Sequence, residues 1–413
     1  MKDQPAQDRA AAIHPLGQRV RIVHEWLVRV AGSERILDAL LDMQPGMPVS
    51  ALVYDPRPFR RTAVARTRVS TSFLQRLPGA VRRYQSCLPL MPLAVEQLDL
   101  GDADTIISIH HAVAKGALVR ADQLHVSYVQ SPMRYAWDLY HRYVGGLSPL
   151  HGLVARLTLH QLRQWDVAAA NRVDLFLANS DNAARRIWRA YRRPSRVLYP
   201  PVDVAAFDPC QPREDYYLAF SRLVPYKRID LAVRALTELR RPLVVIGDGP
   251  EWTRLERLAA PNVTFLGWQP DSAVRHHLQR AKALIFPGEE DFGIVPVEAQ
   301  AAGCPVIAYA RGGALETVVD GVTGSFFTEQ SPLAVIAAVE AFERGPRPDI
   351  EALRANAERF SRERFQVEFA EVMARAQALR TAPVALEREL ASSAWPHPVV
   401  SSPDSRGRRD DSA

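Results

Sequence analysis

The sequence predicts an α/β protein of two doubly wound, Rossmann-like domains that face a central cleft. Three observations predict it: short apolar runs alternate with helical patterns, glycines and prolines punctuate the ends of the runs, and a proline-rich segment separates two such series. The second series is the clearer. Its apolar runs are YYLAF (216–220), LVVIG (243–247), VTFLG (263–267), ALIFP (283–287) and PVIAY (305–309). Helical patterns fill the gaps from Lys227 to Leu239, Glu251 to Leu258, Asp271 to Arg280 and Ile294 to Ala302. Strands this short and this continuously apolar suit a parallel sheet covered on both faces, where neither side of a strand meets water. GDGP at 247–250, Gly267 and Gly303-Cys304-Pro305 stand where turns are needed.

The first series repeats the theme. VRIVHEW (20–26) reads as a buried first strand, followed by Ala31-Gly32-Ser33-Glu34 as a turn, a helix cap and an acidic first turn. VSALVYD (49–55), TIISIHH (105–111), LHVSYVQ (124–130) and DLFLANS (174–180) are further strands, with helical patterns over 151–170 and 181–191. Tyr199-Pro200-Pro201-Val202-Asp203 is stiff and extended, because proline fixes its own φ and restricts the residue before it. The chain therefore divides into a flexible N-terminus (1–18), a first domain (19–198), a hinge (199–212) and a second domain (213–350). Terminal helices (351–380) that pack back toward the first domain and a disordered tail (381–413) rich in Ser, Pro and charge complete it. Open α/β sheets bind ligands at the carboxyl ends of their strands, which places the site between the domains.

Composition removes several function classes. Hydrophobic residues at 47% and charged residues at 24% are those of a globular chain. Cys87, Cys210 and Cys304 lie far apart with no Cys/His spacing, which argues against a disulfide framework or a zinc site and suits a reducing cytoplasm. The first residues lack the apolar core of a signal peptide, and no apolar run approaches the roughly 18 residues of a membrane span. A soluble cytoplasmic protein is expected. Net charge is +6, too small an excess for a nucleic-acid-binding face. That excess has a location: from Arg57 to Arg83 there are eight arginines and no acidic residue, which leaves the rest of the chain close to neutral. Phe59, Phe73, Leu74, Leu77, Val81 and Tyr84 interleave with them, a combination suited to an anionic membrane surface or a lipid diphosphate, or else to a solvated face. Only four of the 52 basic side chains are lysine: Lys2, Lys115, Lys227 and Lys282.

The segment Pro287-Gly288-Glu289-Glu290-Asp291-Phe292-Gly293-Ile294-Val295-Pro296-Val297-Glu298 leaves a strand and enters a helix with proline in its first turn. Amides from Gly293 to Val295 lack intrahelical acceptors there, which makes the turn an anion site. Glu290 and Glu298 flank it, and ionised carboxylates accept hydrogen bonds from sugar hydroxyls; acidic residues at a helix start also simply oppose the dipole. Arg222 follows the strand at 216–220 and Lys227 opens the next helix, where a planar fork and a compact charge can meet a diphosphate.

The spacing of Glu290 and Glu298 in EDFGIVPVE resembles the E-x7-E motif of retaining GT-B glycosyltransferases of family 4. Gly303-Cys304-Pro305-Val306-Ile307-Ala308, Gly312-Gly313-Ala314-Leu315-Glu316 and Asp320-Gly321-Val322-Thr323-Gly324 continue that pattern, and Ser221 to Asp230 (SRLVPYKRID) is similar to its donor-diphosphate loop. The resemblance runs in order over roughly 20–380. It implies a GT-B fold in which Arg222 and Lys227 bind the donor diphosphate in place of a metal, so neither metal nor cofactor is expected. Glu298 would bind the ribose, Glu290 the donor sugar, and the amides of Phe292, Gly293, Ile294 and Val295 sugar and phosphate. The base would lie near Gly247 and Trp268, the latter either stacking on it or edging the core.

Val129 to Asp138 (VQSPMRYAWD) resembles the HTPMRYxWD segment of the mannosyltransferase-like members that build O-antigens and exopolysaccharides, and puts Gln130 and Arg134 among the substrate-binding residues. Gln130 stands where histidine is usual, so an imidazole acid or base is excluded at that position. His110 and His111 are alternative cleft histidines, His110 being taken as substrate-binding; Gly32, where a Gly-Gly pair is usual, would admit the diphosphate. Asn179-Ser180 reads as a helix cap.

The resemblance implies a retaining hexosyltransferase, moving mannose from GDP-mannose to a glycan or polyprenyl-diphosphate-linked saccharide at the inner face of the cytoplasmic membrane. A UDP-glucose- or UDP-galactose-dependent transferase on another glycan, a glycogen- or sucrose-type synthase and an inverting GT-B enzyme are the alternatives. An NAD(P) oxidoreductase is disfavoured because RIVHEWLVRVAGS has no GxGxxG.

Overall fold

The computed structural model describes residues 16–380 and Ala385. The expectations of a flexible stretch before Leu16 and a disordered tail after Arg380 fall outside the described residues, save for Ala385. Leu16 falls within the expected flexible N-terminus yet is fully buried: its N–H donates to Gln44 Oε1 (3.2 Å) and its carbonyl accepts from Gln377 Nε2 (2.6 Å).

The first sheet contains β1 (Val20–Leu27), β2 (Val49–Tyr54), β3 (Val69–Thr71), β4 (Thr105–His110), β5 (Leu124–Val129), β6 (Leu175–Ala178) and β7 (Arg196–Val197). They pair in parallel in the order β3-β2-β1-β4-β5-β6-β7. The second sheet contains β8 (Tyr217–Phe220), β9 (Leu243–Ile246), β10 (Val263–Gly267), β11 (Ala283–Phe286), β12 (Val306–Tyr309) and β13 (Gly324–Phe327), in the order β10-β9-β8-β11-β12-β13. The apolar runs became strands because helices cover both faces: every residue of β4, β5 and β6 is buried. In each sheet the order reverses once, between β1 and β4 and between β8 and β11, and a crevice opens at that switch point.

The helices sort by face. Helix Gly32–Met43 buries Ile36, Leu37, Leu40 and Leu41 on one side of the first sheet. Helix Arg362–Ala378, capped by Ser361, lays Phe365, Phe369, Val372 and Met373 into that same cluster. Helix Ile350–Glu358 instead packs on helix Ile294–Ala301 in the second domain. The far side of the first sheet is covered by residues 73–96 and by helix Pro149–Ala170, through Leu74, Met91, Val95, Leu159 and Leu162.

The arginine-rich stretch from Arg57 to Arg83 does not form one surface. Its start packs Phe59 and Val64 with helix Gly32–Met43, and Arg60, Arg61 and Arg66 border a groove that also holds Asp38 and Asp42. Arg57 donates to Asp55 (2.7 Å). From Phe73 onward the chain lies on the opposite face of the sheet. Of its expected apolar anchors, Phe59 and Leu74 are fully buried and Leu77 alone is exposed, because these side chains complete the core where two short layers meet β2 and β3.

Candidate active site

The carboxyl ends of β4, β5 and β6 face those of β8 and β11 across a cleft of about 520 Å³. From the second domain come Arg222, Lys227, Glu290 and the turn Phe292–Val295; from the first come Gly32, His111, Gln130 and Arg134. Thus ten of the fourteen residues singled out in the sequence line one cleft. The helix Ile294–Ala301 starts there, with Gly293 (φ 89°) as its N-cap, so its first amides point at the cavity.

Two close approaches hold the loop that carries Glu290. A Cβ on Gly313 would sit 2.2 Å from the Phe292 carbonyl oxygen, and the Gly313 N–H donates to the Glu290 carbonyl (2.8 Å). A Cβ on Gly288 would come within 3.0 Å of the Lys227 backbone. Side chains at either place would push the Glu290 loop off the Lys227 turn. With both glycines in place, Lys227 Nζ forms an ion pair with Glu290 Oε1.

Four expected site residues lie elsewhere. His110 is fully buried, because it is the last inward-facing residue of β4, and burial together with nearby Lys115 lowers its pKa. Glu298, one helical turn beyond the cleft rim, faces an adjoining pocket of about 220 Å³ and pairs across the domains with Arg35. Gly247 follows β9, packed behind the Ser221 backbone rather than on the cleft surface. Trp268 is 75% exposed, so it neither edges the core nor lines the cleft.

Several polar groups in and around the cleft escaped the sequence reading. Glu25 of β1 is fully buried, and its Oε1 accepts from the amides of His111 (3.1 Å), Ala112, Val113 (2.6 Å) and Ala114 (3.3 Å). Its Oε2 lies 2.5 Å from His111 Nδ1. Burial opposes the Glu25 charge, but His111 and His110 outweigh it and hold the carboxyl well below its usual range. Burial likewise opposes a charge on His111, and Glu25 more than compensates, so the imidazole pKa is raised. A carboxylate inside an apolar run leaves no pattern in the sequence, and only the fold gathers the four amides around it.

The domains meet through a second group of charges. Asp291 accepts from Asn182 Nδ2 (3.2 Å), lies 2.9 Å from Arg186 Nε and 3.6 Å from Arg134 Nη1; burial raises its pKa. Glu316 of the second domain accepts from the amides of Asp181 (2.7 Å) and Asn182 (3.0 Å), so it caps helix Asp181–Tyr191 of the first domain. Burial nonetheless pushes its carboxyl up to about 7. The Ser180 hydroxyl accepts from Ala183 N (2.9 Å) at the same helix end, as the cap reading of Asn179-Ser180 anticipated.

A cleft between two doubly wound domains, with cations, a helix N-terminus and carboxylates contributed by the second domain, is geometry that comparison can place in a family. Residues 209–363 match the family model for glycosyl transferases group 1. The second domain is a group 1 glycosyltransferase domain. Among curated proteins, the chain is 36% identical over 180 residues to the GDP-mannose-dependent alpha-(1-6)-phosphatidylinositol monomannoside mannosyltransferase of Mycolicibacterium smegmatis, covering 36% of this chain and 47% of that protein. It is 31% identical over 206 residues to the D-inositol 3-phosphate glycosyltransferase of Mycobacterium avium, covering 44% and 49%. The matched segment thus spans about half the length of these relatives. Among solved structures, sucrose-phosphate synthase from Thermosynechococcus elongatus superposes with a TM-score of 0.70 at 16% identity, over 87% of this chain and all of that one. Anabaena HepE in complex with UDP superposes with a TM-score of 0.63 at 19% identity, over 86% and 100%. The fold is GT-B. In the group 1 domain, Arg222, Lys227, Glu290 and the Gly293 turn are therefore the residues that the matched segment brings to the cleft.

Proposed function

We propose that the protein is a retaining hexosyltransferase that moves mannose from GDP-mannose to a lipid-linked saccharide in cell-surface polysaccharide synthesis. One observation carries the reading: Arg222, Lys227 and the N-terminus of helix Ile294–Ala301 converge on one cleft with Gln130 and Arg134 opposite. The cations and the helix amides suit a diphosphate, whose charge grows as the bond to the sugar breaks. In this reading Glu290, in the cleft, accepts from the donor sugar, and Glu298, in the adjoining pocket, accepts from the ribose. No enzymic nucleophile takes part in this reading. The acceptor would attack from the face the diphosphate leaves, and the donor phosphate would take its proton. GDP-mannose and a lipid acceptor are the substrates that the name of the M. smegmatis relative carries.

In this reading Arg35 Nη1 holds Glu298 through Oε1 alone, and the other carboxylate oxygen is offered to the ribose. Arg134, held over the Tyr226 ring (5.5 Å) and beside Asp291, faces the sugar end of the cleft. No helix among the described residues is long and apolar enough to cross a membrane. In this reading the lipid acceptor is met peripherally, at the inner face of the cytoplasmic membrane. The test is a panel of GDP- and UDP-sugars scored by thermal shift and by donor hydrolysis. GDP-mannose should give the largest shift and the fastest hydrolysis. A preference for UDP-glucose or UDP-galactose would move the assignment to the alternative transferase, and no response to any nucleotide sugar would refute it.

A further inference from the structure

Helix Pro149–Ala170 has two apolar faces. One is buried in the first domain through Gly152, Leu159, Leu162 and Ala169. The other is a stripe at Leu150, Leu153, Val154 and Leu157, spaced i, i+3, i+4, i+7 on the opposite side of the helix, and these side chains are 71, 52, 58 and 59% exposed. Leu147 (45%) and Tyr143 (50%) extend the stripe toward the N-terminus. A single exposed leucine needs no explanation, but a continuous row along a helix does.

Charge says what covers it. From Leu139 to Trp165 there is no acidic residue, while Arg142, Arg156, His151 and His160 are exposed around the stripe. Position adds a direction. The Tyr143 ring lies edge-on to Tyr135 (6.3 Å), and Tyr135 lines the cleft, so the apolar row begins at the cleft mouth and runs outward.

The geometry points to this stripe as a docking face for an anionic lipid bilayer, with the leucines in the acyl boundary, the arginines at the headgroups, and the cleft mouth held against the membrane. This deepens the lipid-acceptor reading and rests on it only for the direction in which the cleft must open. It also moves the membrane contact from the Arg57–Arg83 stretch, whose apolar residues are mostly spent on the core, to a helix with an unpartnered face.

The test is flotation of the full chain with vesicles of phosphatidylcholine alone and of phosphatidylcholine mixed with phosphatidylglycerol. The wild-type chain should float with the anionic vesicles and release with salt. The Leu150→Ser/Leu153→Ser/Leu157→Ser variant should lose about tenfold or more of that binding, while Arg60→Ser/Arg61→Ser keeps most of it. Leu153→Trp gives a second readout, a blue-shifted emission on adding anionic vesicles. Absence of flotation, equal flotation of the leucine variant, or a stripe that closes a dimer in sedimentation velocity without binding vesicles would each overturn the inference. Nucleotide-sugar binding separates the two readings: a chain that floats but binds no donor refutes the transferase and leaves the docking face standing, and a chain that binds donor but does not float does the reverse.

Discussion

The carboxylate of Glu25 lies 2.5 Å from Nδ1 of His111 and accepts four consecutive backbone amides with its other oxygen. One buried acid thus fixes the turn after β4, the tautomer of His111 and the direction of its free nitrogen, which is left for the cleft.

Glu25→Gln removes the charge that raises the His111 pKa. NMR titration should place wild-type His111 above the ordinary 6.5 and the variant below wild type. The sign for stability follows: a raised imidazole pKa stabilises the fold fully below the unfolded value and loses that contribution as pH rises through the folded value, while the depressed Glu25 pKa stabilises above the ordinary carboxylate range. The variant should therefore be destabilised most between those limits, by about 3 kcal/mol, and the gap should narrow at high pH. Equal His111 pKa values in the two proteins would refute the coupling.

Glu316 has the opposite sign. Burial holds its folded pKa at about 7, above the ordinary 4.5, so the fold favours the protonated acid and stability falls as pH rises through that window. Glu316→Gln removes the buried charge but keeps an oxygen for only one of the two amides, since Oε2 serves Asp181 and Oε1 serves Asn182; that lost acceptor costs the same at every pH and leaves the pH dependence as the readout. Its melting temperature should gain on wild type from pH 4.5 to 7, by about 3 kcal/mol in stability at the upper end. Parallel pH profiles would contradict this.

Arg186 meets Asp291 and Glu289 across the domain boundary. Arg186→Ala leaves Asp291 with its weaker partner Arg134 and loosens the donor-side loop. Donor KM should rise and turnover fall about tenfold together, because closure and donor positioning share that loop. Small-angle scattering should report a more open chain, and an unchanged KM with an unchanged scattering profile would count against the seam.

The parallel strands were legible because both of their faces are buried, which writes them as uninterrupted Val, Ile and Leu. The donor-side loop was legible because Glu290 and Lys227 belong to local turns whose glycines and prolines stand in the sequence. Contacts between the domains were not. Glu298 reads locally as a cleft residue, yet Arg35, 263 residues away, takes its carboxylate. His110 and His111 are neighbours in one strand exit, and which of them faces the cleft depends on where β4 ends. The Arg57–Arg83 stretch is continuous in sequence but crosses from one face of the sheet to the other, so counting charges along it could not give a surface.

The most direct measurement is single-turnover transfer by Lys227→Ala beside its donor affinity and melting temperature. Lys227 sits on a short surface turn, half-buried against Glu290, so its loss should leave the melting temperature within a few degrees. Turnover should fall by about a hundredfold or more, since a charge aimed at the leaving diphosphate is then missing. Full turnover in Lys227→Ala with an intact fold would contradict the assignment of this cleft to diphosphate departure.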